Sequence, residues 1–97
     1  MYYTLNQLRA MRDQILYLAQ KHGASNIRVF GSVARGDATD QSDVDLLVAF
    51  NDQTSLLDRA GLLIELQELL NCRVDVISDR AIKPYLSPYI LKDAVPL

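Results

Sequence analysis

Two acids at the head of an apolar strand are the hardest feature of this chain to accommodate. Asp43 and Asp45 flank Val44 and lead into the run VDLLVAF, whose β-branched and aromatic residues predict a strand over 44–50. Residues i and i+2 of a strand point the same way, with Cα atoms about 6.6 Å apart. Two carboxylates so placed repel each other and resist dehydration, so something positive belongs beside them. In front of them stands a second short apolar run, Ile27 to Phe30, ending in a Gly31-Ser32 turn. Ten residues separate Ser32 from Asp43, and the loop between carries Arg35 and Gly36. The stretch GSVARGDATDQSDVDLLV, Gly31 to Val48, is therefore the segment around which the rest must be arranged.

The flanking segments read as helices and strands of ordinary size. Residues 4–22 predict one amphipathic helix: Thr4 and Gln7 have capping-box spacing, and Leu5, Leu8, Met11, Ile15 and Leu18 recur near the helical period. Gly23 is its stop, and His22, the only histidine, reads as a solvated helix-end residue. Val33 to Arg35 predicts about one helical turn, followed by a polar loop, 36–42. Ser55 with Asp58 predicts the start of a second helix, of about sixteen residues, with Leu56, Ala60, Leu63, Ile64, Gln67 and Leu70 on one side. Asn71 suits its C-terminal end, and Cys72 reads as a small packing residue. A third strand, 73–77, carries Asp75 between Val74 and Val76. Ser87 as cap and Pro88 at the first helical position predict a last helix to about Ala94. The order α-β-turn-β-α-β-α makes the chain an α+β protein, an α/β sandwich in which helices pack on a small sheet of three or four strands.

Composition narrows the function classes. Ninety-seven residues, 49% hydrophobic and 23% charged, form a single small globular domain spanning 1–97. The net charge of −2 is a poor footprint for nucleic acid, which needs a basic face. One cysteine precludes an internal disulfide and fits a cytoplasmic setting. No run approaches the roughly 20 apolar residues of a membrane span, and the first residues lack the pattern of a signal peptide.

Each chemical element has an ordinary reading beside its functional one. Asp43 and Asp45 either share a cation such as Mg²⁺, which favours hard oxygen ligands and substrate phosphates, or Asp43 only caps the strand while Asp45 pairs with Arg28 or Arg73. Gly31-Ser32 is either a plain turn or a site where backbone N–H groups and a hydroxyl meet an anion. Arg35, on the side of Ser32 if the turn is helical, either faces a phosphate or holds the loop through Asp37 or Asp45. Asp75, mid-strand, is better placed to join the pair than Asp79, which reads as a loop or cap residue.

The combination is more specific than its parts. Strand, Gly-Ser, ten residues, Asp-x-Asp on a second strand, then a helix and an isolated strand Asp resembles the DNA polymerase β-type nucleotidyltransferase superfamily. The segment GSVARGDATDQSDVDLLVAF is similar to its minimal nucleotidyltransferase branch, and the likeness extends over nearly the whole chain. That resemblance implies the polymerase β-like nucleotidyltransferase fold, with Gly31 and Ser32 holding a nucleoside triphosphate and Arg35 in the GSxARG pattern. It implies Mg²⁺, two ions, on Asp43, Asp45 and Asp75, which are also the catalytic residues, and in-line attack on the α-phosphorus of ATP. Only 22 residues follow Asp75, which predicts that the acceptor is presented by a partner chain. Small proteins of this kind resemble the antitoxins of HEPN–MNT toxin–antitoxin pairs, which transfer AMP to a tyrosine hydroxyl of a HEPN ribonuclease toxin. Tyr85, Tyr89, Ile90 and Leu91 either contribute to such an interface or close the domain's own core. Two rival readings stand beside this one: a non-catalytic binding antitoxin, and a nucleotidyltransferase acting on a small molecule such as an aminoglycoside.

Overall fold

The computed structural model describes residues 2–97. Its elements are α1 (Leu5–Ala10), α2 (Arg12–Lys21), β1 (Ala24–Phe30), α3 (Gly31–Arg35), β2 (Val44–Phe50), α4 (Leu56–Leu70), β3 (Val74–Ser78), a 3₁₀ turn (Asp79–Ala81), α5 (Ser87–Asp93) and β4 (Val95–Pro96). The sheet has the order β3-β2-β1-β4. β1 runs antiparallel to β2 and β4, whereas β3, reached through the α4 crossover, is parallel to β2. This is the small mixed sheet with helices packed on it that the sequence predicts, in its four-stranded form.

Alternation along β2 sorts its side chains. Val44, Leu46, Val48 and Phe50 join Ile15, Ala19, Leu62, Leu66 and Leu70 in one core with Val29 and Val74, so that α2 and α4 cover that face. Asp45, Leu47 and Ala49 point to the opposite side. Leu47 is fully buried there, so this second face is sheltered at its centre and opens only toward the strand ends.

Four features depart most from the sequence reading, beside a one-residue shift of β3 and a start of α3 at Gly31 rather than Val33. The first helix is broken at Met11 (φ −102°, ψ 14°) rather than continuous over 4–22, although Thr4 and Gln7 do form the predicted capping box. Leu8 and Ile15 are both fully buried, so the apolar period runs through the break and cannot mark it. The break lies between Arg9, which donates to the Pro96 carbonyl at 2.8 Å, and Arg12, whose Nε donates to the Leu97 carbonyl at 2.8 Å. β1 begins three residues earlier than predicted, because Asn26 adopts a left-handed conformation (φ 51°) and lets a bulged strand continue where the sequence reads as a turn. Ser87 is the first residue of α5 rather than its cap. The preceding turn, closed by Leu86 N–H to Lys83 C=O at 2.9 Å, is already helical. β4 is a two-residue strand that no sequence period could signal.

The buried side of α4 also differs. Leu62, Leu66 and Leu70 face the core, while Leu56 and Ile64 are exposed, against the expected stripe. Leu, Ile and polar residues are spread around the whole of α4, so its own pattern does not choose a side. Contact with α2 chooses it: a Cβ on Gly61 would come within 2.8 Å of the His22 ring. His22 is accordingly not solvated. Its side chain is 13% exposed, with Nε2 3.2 Å from Glu65 Oε2. The expectations for Asn71 and Cys72 hold. Asn71 ends α4 at φ 52°, and the half-buried Cys72 thiol is pushed up in pKa by burial and by Asp43. α5 packs on α3 and β1 yet buries none of its side chains fully, leaving Tyr89 and Leu91, with the preceding Tyr85, exposed. No helix among the described residues is long and apolar enough to cross a membrane.

Candidate active site

The sheet pairs two of the three predicted acids. Asp45 and Asp75 are direct register partners on the parallel strands β2 and β3, which places their Cα atoms about one strand spacing, roughly 4.8 Å, apart. Asp43 stands two residues before Asp45, just outside β2. Asp45 shows the cost of this crowding. Partial burial, then the charges of Asp75 and Asp43, raise its pKa from 3.8 to about 6, against which Arg35 pulls only weakly down. The alternative pairing of Asp45 with Arg28 or Arg73 does not occur: Arg28 Nη2 lies 3.1 Å from Asp79 Oδ2, and Arg73 Nε lies 3.0 Å from Asp43 Oδ1. The Asp43 oxygen is buried, and the arginine is close enough for an ion pair but misaligned for a hydrogen bond. Asp79 thus has the structural role expected of it, opening the 3₁₀ turn and held by Arg28.

Gly31 explains itself at this point. Phe30, the last residue of β1, pairs with Asp45, and Gly31 follows at φ 72°. A Cβ on residue 31 would stand 2.3 Å from Asp45 Oδ2 and 3.2 Å from its Cγ, so only glycine lets the turn close on the carboxylate. No side chain caps the first turn of α3, so its leading N–H groups have no side-chain cap beside the Gly31–Asp45 contact. Gly36, at φ 84°, ends α3, and the Ser32 carbonyl accepts from both Gly36 and Asp37 N–H, at 2.9 and 3.0 Å.

Arg35 is held rather than free. Its Nε donates to Asp37 Oδ2 at 3.2 Å, the pairing the sequence offers, and its Nη1 to Asp93 Oδ2 at 2.7 Å. Asp93 is a residue the sequence gives no reason to select, being 58 positions away at the end of α5. Arg73 on Asp43 is the other contact missed, since the sequence offers it to Asp45 instead.

Among the described residues no three His, Cys, Asp or Glu side chains converge as a ready-made metal cage. The donor chemistry still fits Mg²⁺, which is usually held by one or two carboxylates and completed by water and substrate phosphates. Asp45, half-buried, raised in pKa and pressed by glycine rather than by a side chain, is a carboxylate suited to that part.

Residues 11–97 match the family model of the nucleotidyltransferase domain. The chain belongs to that family. A solved structure described as a provisionally assigned minimal nucleotidyltransferase superimposes with a TM-score of 0.85 at 49% identity, covering 99% of this chain and 98% of the other. With it the fold is established as the polymerase β-like nucleotidyltransferase fold in a minimal form. The chain is 38% identical over 78 residues to the protein adenylyltransferase MntA of Thermococcus cleftensis, covering 80% of this chain and 79% of that one. It also resembles a chain of a mutant toxin–antitoxin MntA–HpeT crystal structure, with a TM-score of 0.71 and 25% identity, covering 89% of this chain and 70% of the other.

Proposed function

We propose that this nucleotidyltransferase is a single minimal domain, residues 1–97, that works in the cytoplasm and transfers AMP from ATP to a tyrosine hydroxyl of a partner HEPN ribonuclease toxin, and so acts as its antitoxin. The in-register pair Asp45–Asp75, with Gly31 closed on Asp45, carries the enzymatic part of this reading. The likeness to MntA and to a toxin–antitoxin complex supports the choice of a protein acceptor and of AMP.

In this reading the Gly31 and Ser32 N–H groups and the Ser32 hydroxyl bind and orient the triphosphate, and Arg35 adds positive charge at the same turn. Asp43 and Asp45, with Asp75, hold Mg²⁺. When bound, the ion offsets phosphate charge and stabilises the leaving pyrophosphate. Asp75, exposed at the sheet edge, accepts the proton of the incoming tyrosine hydroxyl as its oxygen attacks the α-phosphorus. No histidine or cysteine takes part: His22 is locked between α2 and α4, and the Cys72 thiol is held protonated.

The test is incubation of the chain with α-labelled ATP, Mg²⁺ and a HEPN toxin, followed by mass mapping of the label. Label on a toxin tyrosine, abolished by Asp43→Ala with Asp45→Ala, is the expected result. Neutralisation of the toxin by that double variant without any label would replace this reading with a purely binding antitoxin.

A further inference from the structure

The contact between Arg35 and Asp93 ties the tail of the chain to the nucleotide-binding turn. Arg35 offers five N–H donors in a planar fork. Asp37 takes Nε and Asp93 takes Nη1, so two corners of the fork are fixed and neither acid uses Nη2. The two acids are not equivalent. The Asp37 side chain is 62% exposed, whereas that of Asp93 is 17% exposed and makes the shorter bond, so Asp93 is the firmer anchor. Arg35 lies three residues after Ser32 in α3, on the same side of the helical turn. α5 itself buries no side chain fully and packs only on α3 and β1 among its principal contacts, so this ion pair is its directed link to the site.

Resting on the nucleotide-binding reading given above, we propose that Asp93 is a positioning residue: it holds the Arg35 guanidinium beside the Gly31–Ser32 turn with Nη2 presented to the triphosphate. A loose arginine would have to give up rotamer freedom on binding phosphate; one already fixed at two corners has surrendered it on folding. Arg35 also reaches Asp45 with its charge, as it must if its fork lies on the site side of α3.

The experiment is a double-mutant cycle on the full chain, read by calorimetric titration with Mg²⁺ and α,β-methylene ATP, an analogue that cannot release AMP. Arg35→Ala and Asp93→Ala are each expected to weaken binding about tenfold, the usual weight of one hydrogen bond to a charged group. The double variant is expected to be no weaker than Arg35→Ala alone, because Asp93 acts through Arg35. Thermal midpoints of the variants are measured alongside, and if Asp93→Ala does not fold, Asp93→Asn takes its place in the cycle. Losses that add, or an Asp93 variant that binds as the parent does, would overturn the proposal. Binding of the analogue by a parent chain that, given ATP and a HEPN toxin, transfers no label would remove the transferase reading alone, and no binding by the parent chain would remove both.

Discussion

Asp45 and Asp75 sit directly opposite each other on the parallel strands β2 and β3, and Gly31 closes on Asp45 with no space for a Cβ. Sheet pairing enforces this closeness, and it is maintained at a cost to folding. The folded protein carries a carboxylate whose charge its own neighbours oppose.

That cost is measurable as pH-dependent stability. Asp45 titrates near 3.8 when unfolded and at about 6 when folded, so the native state binds the extra proton between these values. Stability therefore falls as pH rises through that window. Asp45→Asn abolishes this loss. It is expected to be more stable than the parent at pH 7.5 by about 1 kcal/mol, a figure reduced for the partial solvation of the site. The advantage fades below pH 4. Urea denaturation at four pH values checks it, and an advantage independent of pH would contradict this account.

The glycines at 31 and 36 separate backbone strain from crowding of the site. Both have left-handed φ, 72° and 84°, but a Cβ at 36 meets nothing within 4 Å. Gly36→Ala should cost roughly 1–2 kcal/mol of stability and keep most of its AMP transfer. Gly31→Ala carries the same backbone penalty and also displaces the Asp45 carboxylate, for which a loss of about a hundredfold in transfer is expected. Comparable transfer by the two variants, assayed at equal folded fraction, would show that Asp45 is not held by the turn.

Asp75 and Asp79, four residues apart, provide a second internal control. Asp75 faces Asp45, whereas Asp79 is occupied by Arg28. Asp75→Asn is expected to lower transfer by about a hundredfold or more with little change in stability. Asp79→Asn should keep transfer within about threefold and lose up to about 1 kcal/mol of stability. Labelled-AMP transfer and denaturation of both variants decide the matter, and the opposite ranking would move the third acid to Asp79.

What could be read from the sequence follows the range over which each signal acts. β2 and the Ser55–Asp58 cap are local, and both stand where the pattern places them. Asp75 is marked by its mid-strand place between Val74 and Val76, likewise a local signal. The break at Met11, the bulge at Asn26 and the buried side of α4 depend on contacts from distant chain, to Pro96, to β2 and to His22 respectively. The same holds within the site. Gly31, Ser32, Asp43 and Asp45 are near neighbours in sequence, but the acid that anchors Arg35 lies in α5, and nothing in the segment around Asp93 distinguishes it from a solvated charge.

Arg73 remains, and in the proposed reading its charge competes with a metal ion for Asp43. Its side chain, 69% exposed, lies against Asp43 with Nε 3.0 Å from Oδ1, while its Nη2 donates to the Gln41 carbonyl at 3.0 Å. An ion in the site has to share or displace that charge. Arg73→Gln removes the competitor and leaves the acids in place, so Mg²⁺ titrated in the presence of α,β-methylene ATP should bind more tightly. An exposed pair contributes up to about 1 kcal/mol, which corresponds to as much as about a fivefold gain in affinity. The gain should shrink in high salt, since the pair it relieves is screened by solvent ions. Weaker binding by Arg73→Gln would mean the reverse relationship, with Arg73 steadying Asp43 for the ion rather than holding its place.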